Sequence, residues 1–172
     1  MAEREVVVRP LGRPGDLGWV VMAHGEIYHR QFGWDTDFEA LVARIVAEYA
    51  DGKEPGLQAA WIAEVDGVRV GSVLCVRADE RTAKLRLLLV DPAARGLGLG
   101  GRLVEECLRF AGEAGYEAIT LWTNDILGSA RRIYEAQGFE LVAEEPHHSF
   151  GHDLVGQTWR RRLSRPGPVL SR

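Results

Sequence analysis

The sequence predicts an α+β domain on a central, mostly antiparallel mixed sheet flanked by four helices. Two β-rich runs, AAWIAEV at 59–65 and VRVGSVLCVR at 68–77, flank Asp66-Gly67, the dipeptide of a two-residue hairpin. One helical period separates the aliphatic run 83–90 from AITLWT at 118–123, which makes a single strand-helix-strand crossover between parallel neighbours. The whole order reads β-α-α-β-β-β-α-β-α-β-β, and a repeated βαβ series is not part of it.

Each element has its own signal. EVVVR at 5–9 reads as the first strand, ended by Pro10 and the turn-rich GRPGD. Trp19, Ala23 and Ile27 recur at four-residue spacing and predict a helix over 17–29. Thr36 followed by Glu39 makes a capping box, and Phe38, Leu41, Val42, Ile45, Val46 and Tyr49 then keep the helical period. After the breaker DGKEPG come the hairpin and a third antiparallel strand, AKLRLLLV. Leu99, Leu103, Cys107, Phe110 and Ala111 mark the crossover helix. A short helix spans 129–137, with Ser129 suited to its N-cap and Gly138 to the left-handed position past its end. FELVAEE at 139–145 and DLVGQTW at 153–159 close the sheet, and His147 and His148 fall in the loop between them.

At 172 residues with 46% apolar composition, the chain suffices for one core, so residues 1–163 are expected to form one domain, with 164–172 a disordered tail. A net charge of −4 gives no footprint for nucleic acid. With no apolar leader at the N-terminus and no run of spanning length, the expectation is a soluble, cytoplasmic protein away from the membrane. Cys75 and Cys107 sit in patterns typical of small buried hydrophobes, not of a disulfide scaffold. The pair His148 and His152 follows a proline in a loop, so no metal site is expected there.

The chemistry concentrates in LLLVDPAARGLGLGGRLVEE at 87–106, where an aliphatic run breaks into four glycines and resumes as a helix. The spacing G-x-G-x-G-G and the antiparallel hairpin upstream do not suit a dinucleotide fingerprint, and Gly101-Arg102-Leu103 lacks the Gly-Lys-Ser/Thr of a Walker loop. A flexible turn is the plain alternative. Side-chain-free residues opening a helix also leave several N–H groups unpaired at the positive end of its dipole, which suits a phosphate.

Here the chain resembles the Gcn5-related N-acetyltransferases. VDPAARGLGLG at 90–100 is similar to the family's R/Q-x-x-G-x-G/A loop, and IYEAQGFELV at 133–142 to its Tyr-x-x-x-Gly-Phe ending. The resemblance runs over residues 5–163. GWDTDFEALVARI and EEPHHSFGHDLVGQTW resemble more particularly the acetyltransferase half of bacterial proteins with a MarR-type winged helix in front. No such segment precedes them here, and the expectation is a free-standing catalytic domain.

The resemblance implies an N-acetyltransferase moving acetyl from acetyl-CoA to an amine by direct transfer, in a sheet whose fourth and fifth strands splay apart. It implies that Leu88 and Val90 offer backbone groups to the pantetheine arm and that the N–H groups of Arg95, Gly96, Leu97, Gly98, Leu99, Gly100 and Gly101 hold the diphosphate. A Cβ at Gly98 or Gly100 would then hold the diphosphate away. Arg95 has two readings, a direct phosphate contact or a brace for the loop. The backbone N–H of Leu88 becomes the oxyanion donor, and Tyr134 the general acid toward the leaving thiolate, its plainer reading being packing between helix and sheet.

Asn124 joins the cofactor set, although many relatives place the asparagine where this chain has Leu127. The strand carboxylate of the histone-modifying branch is replaced by Lys84. Glu26, His147 and His148 stand as base candidates, each with ordinary surface polarity as its plainer reading. Tyr28, Phe32, Trp34 and Trp122 are read either as an acceptor pocket or as core. The acceptor is expected to be a small-molecule amine or a peptide or protein amine, with a homodimer possible. The rival reading is a non-catalytic acyl-CoA sensor or protein-interaction module.

Overall fold

The computed structural model describes residues 2–52 and 54–164. Among them the chain forms a seven-stranded sheet and four α-helices, in the order the sequence predicts. The strands are β1 (Val6–Pro10), β2 (Ala59–Val65), β3 (Val68–Arg77), β4 (Thr82–Val90), β5 (Ala118–Asn124), β6 (Glu140–Ser149) and β7 (His152–Arg162). The helices are α1 (Asp16–Phe32), α2 (Thr36–Asp51), α3 (Leu99–Glu113) and α4 (Gly128–Ala136). The sheet order is β1-β2-β3-β4-β5-β7-β6, antiparallel except for the β4-β5 pair. The expected tail lies, from residue 165, outside the described residues.

Asp66 and Gly67 both hold positive φ, 51° and 78°, the pair of left-handed residues that a type I′ hairpin needs. The sheet separates two layers. Ala83 and Leu85 of β4 pack with Leu103, Val104 and Cys107 of α3 on one face, and Ile62 packs with Val20 of α1 and Val42 of α2 on the other. Both cysteines are free and buried.

Several local expectations need correction. Asp35, not Thr36, caps α2, accepting from the Asp37 N–H, and Thr36 becomes its first helical residue. Ser129 does not cap α4, whose first residue is Gly128 after Leu127, with no side-chain cap. The observed N-cap positions, Asp35 and Leu127, lie one and two residues before those the sequence signals suggested. His147 and His148 belong to β6, not to a loop, and only Phe150-Gly151 separates β6 from β7. Pro146 is tolerated in β6 because that strand is an edge, where a missing N–H disrupts no inner ladder.

The start of α1 is held by a buried carboxylate. Asp16 is fully buried and accepts two bonds from the Arg9 guanidinium (2.8 and 2.9 Å), one from Arg69 Nε (2.8 Å), and the Gly12 and Arg13 N–H groups. The Arg9 bond holds its carboxyl well below the usual carboxylate range. This junction fixes α1, and α1 carries much of the site described next.

Candidate active site

β4 and β5 pair only from Thr82↔Ala118 to Leu85↔Leu121, so their ends splay. On its other side β4 departs from register with β3, where Leu74 faces Arg86 and Ser72 faces Leu89, leaving Leu87 and Leu88 opposite Val73 alone. This is a β-bulge. Leu87 takes φ 54°, a left-handed conformation that costs a leucine about 1–2 kcal/mol, and Ser72 Oγ–H donates to its carbonyl at 2.9 Å. The extra residue shifts the alternation of the strand. Leu88 consequently lies outside both ladders, beside the gap.

A cleft of about 650 Å³ opens there, bounded by Leu88, Val90, the loop to α3, and α4. Arg95, Gly96 and Gly98 to Gly101 line it. Gly98 precedes α3 with φ 69°, no side chain caps that helix among the described residues, and the first loop-to-helix bond is Arg102 N–H to Gly98 O. The first-turn N–H groups therefore face the cleft without an intrahelical partner, as an anion site requires. A Cβ at Gly98 would meet nothing, so its requirement is the left-handed backbone. Gly100 carries a packing constraint in addition. A Cβ there would point at Ile133 Cδ1, 2.5 Å away, where α3 packs on α4.

Leu97 does not line the cleft; its side chain packs on the core. Arg95 is exposed and its guanidinium forms no bond among the described residues, while Arg132 of α4 lines the cleft as a further cation the sequence did not single out.

A second cavity of about 180 Å³ lies on the α1-α2 side of the sheet. Leu88, Tyr28, Leu127 and Ala130 line both spaces, so the two meet at the bulge. Tyr134 lines the second cavity, 4% exposed, and burial, with Tyr28 nearby, pushes its phenol up, so it keeps its proton. Tyr28, Trp34 and Trp122 line this cavity too, and Phe32 the larger cleft. Tyr28 and Trp34 stack with ring centroids 5.2 Å apart.

The expected base candidates separate. Glu26 is exposed on α1 and lines neither space. His148 is exposed and bonded through Nδ1 to Asp153 at 2.8 Å. His147 sits against Trp122 and donates from Nε2 to Asn124 Oδ1 at 2.8 Å, with Nδ1 2.9 Å from Ser149 Oγ. Asn124, 3% exposed, lines the second cavity and not the cofactor-sized cleft.

The residue sequence reasoning missed is His24. It is 1% exposed, lines the second cavity, and donates from Nδ1 to Val20 O at 2.7 Å, which leaves Nε2 a buried acceptor without a partner. Burial lowers its pKa to about 4 and keeps the ring neutral. The signal was present in Val20, His24 and Tyr28, one residue on from the apolar spacing of α1.

Comparison with known proteins agrees with this geometry. A family model described as "Acetyltransferase (GNAT) family" matches residues 22–139. Human N-acetylaspartate synthetase is 34% identical over 98 residues, covering 56% of this chain and 32% of that protein. Human N-acetyltransferase 8B is 34% identical over 93 residues, covering 51% and 41%. The chain thus spans less than half the length of these curated relatives. Among solved structures, a GNAT-family acetyltransferase from Staphylococcus aureus Mu50 superposes with TM-score 0.75 at 20% identity over 93% of this chain and 100% of that one. The protein yncA from Salmonella typhimurium, in a structure with its cofactor acetyl-CoA, gives TM-score 0.71 at 18% identity, over 97% and 99%. These likenesses establish the fold. With a cleft built on an uncapped helix start and a family match across most of its length, the chain belongs to the GNAT family of N-acetyltransferases, which use acetyl-CoA.

Proposed function

We propose that this protein transfers the acetyl group of acetyl-CoA directly to an amine. The observation that carries the reading is the meeting of the two spaces at Leu88, one fitted to an anionic cofactor and the other to an acceptor. Acetyl-CoA supplies the activated acetyl thioester.

The first-turn N–H groups of α3 hold its diphosphate, and the main chain of Leu88 and Val90 pairs its arm. The Leu88 N–H, outside both ladders, donates to the oxygen on which negative charge develops. Tyr134 enters the reaction protonated and donates to the leaving sulfur as negative charge develops on it. Both cysteines are buried in the core, and burial raises the Cys107 thiol, so neither serves as a nucleophile. The resemblance of 33–45 and 144–159 to MarR-fused bacterial acetyltransferases extends the same reading, supported by those two segments.

The test is release of CoA thiol from acetyl-CoA by purified protein over a panel of amino acids, small amines and peptides. Acetylation of at least one class, with the product identified by mass, is the expected result. Saturable acetyl-CoA binding without transfer to any member would replace the reading with a non-catalytic sensor.

A further inference from the structure

The second cavity has a charge character that acetyl transfer by itself does not require. Lys84 and Arg86 both line it from β4. They alternate with Ala83 and Leu85, which belong to the α3 face, so their side chains leave the sheet on the α1-α2 face. No aspartate or glutamate lines the cavity among the described residues, and neither cation forms a hydrogen bond or ion pair there. Arg86 feels Glu48 at longer range only. Burial lowers the pKa of each, and Arg86 further lowers that of Lys84. Two half-buried cations without counter-charges are costly to leave so, and an anion from solution offsets the cost.

A second, independent observation concerns buried polar atoms. His24 Nε2 and Trp34 Nε1 are both buried without partners, on residues 1% and 2% exposed that line this same cavity. One is an acceptor and the other a donor. Native interiors rarely leave such groups unpaired, and in a cavity either water or a ligand completes them. The cavity holds the volume of about six waters at ~30 Å³ each, which suits a molecule the size of an amino acid more than a polymer segment.

We infer that the acceptor is a small amine bearing a carboxylate, its carboxylate paired by Lys84 and Arg86 and its remaining polar groups completed by His24 Nε2 and Trp34 Nε1. The inference rests on the acetyltransferase reading and narrows it to a substrate class. The same cations favour the chemistry. Positive charge beside the incoming amine opposes its protonation and so enlarges the neutral, nucleophilic fraction. His24 Nε2 accepts from an amine N–H, an orientation a cationic imidazole could not offer.

The experiment pairs each of several amino acids with its own carboxamide. Calorimetric titration of the CoA-loaded protein measures binding, and CoA-thiol release measures transfer. Acids should bind and react on the order of 10- to 100-fold better than their amides, the worth of hydrogen bonds to a charged group. In the Lys84→Gln/Arg86→Gln double variant that ratio should collapse toward one. A His24→Leu variant should weaken binding of acid and amide alike. Equal handling of acids and amides by the wild type, or a ratio that survives the double variant, would overturn the inference while leaving acetyl transfer intact. Selective binding of acids without any transfer would uphold the carboxylate site and reject the acetyltransferase reading.

Discussion

The cleft beside α3 and the cavity beneath α1 and α2 meet at Leu88, yet they offer a ligand different things. The first presents main-chain nitrogens at glycines, and the second presents side chains from three helices and two strands. A diphosphate is the same in every acyl-CoA, and backbone donors recognise it without regard to what a side chain would add. Acceptors vary, and side chains such as His24, Lys84 and Arg86 can vary with them. The two helix starts repeat the contrast. α2 spends Asp35 on its own N–H groups, whereas α3 keeps its first turn open to the cleft.

Tyr134→Phe acts where the two regions meet and should have the largest effect, a loss of kcat of about 10²–10³-fold with CoA affinity little changed. Steady-state kinetics beside a CoA titration would check it, and unaltered kcat would remove Tyr134 from the chemistry. The next effect separates the regions by pH. His24 is held neutral with a pKa of about 4 in the fold against 6.5 in the unfolded chain. The unfolded state therefore binds more protons between these values, and stability rises with pH across that window. This contribution is complete above about pH 6.5 and is lost as pH falls toward 4, amounting to about 3 kcal/mol in all. Urea melts should show that slope in the wild type and a shallower one in His24→Leu.

The glycines sharpen the contrast further. Gly98→Ala strains a backbone at φ 69° by about 1–2 kcal/mol and should raise the Kd for CoA about tenfold, leaving acceptor KM in place. Gly100→Ala should cost about 1 kcal/mol of stability by crowding Ile133, and pairing it with Ile133→Val, which removes the crowding methyl, should restore most of that. Additive losses in the double variant would return Gly100 to a purely ligand-facing role.

The cofactor side was legible in the sequence because backbone geometry leaves a mark on residue choice. Gly96 and Gly98 adopt left-handed φ, and Asp66-Gly67 builds the hairpin that sets the strand order. The bulge left no such mark. Leu87, Leu88 and Leu89 are alike, so the alternation carries no record of where the extra residue sits. His24 and Lys84 became a pair of cavity walls only when α1 crossed the splayed strands, a tertiary event that local spacing does not encode. Pro146 misled because a proline reads as a loop until the strand that holds it is known to be an edge.

The central claim is that α3 holds a diphosphate through main-chain nitrogens, and amide NMR titration addresses it directly. CoA should shift the N–H resonances of Leu99, Gly100 and Gly101 most, leave Asp37 at the capped start of α2 in place, and lose its effect on α3 when pantetheine, which lacks the diphosphate, replaces it. Saturable CoA binding with the α3 amides unmoved would contradict the account.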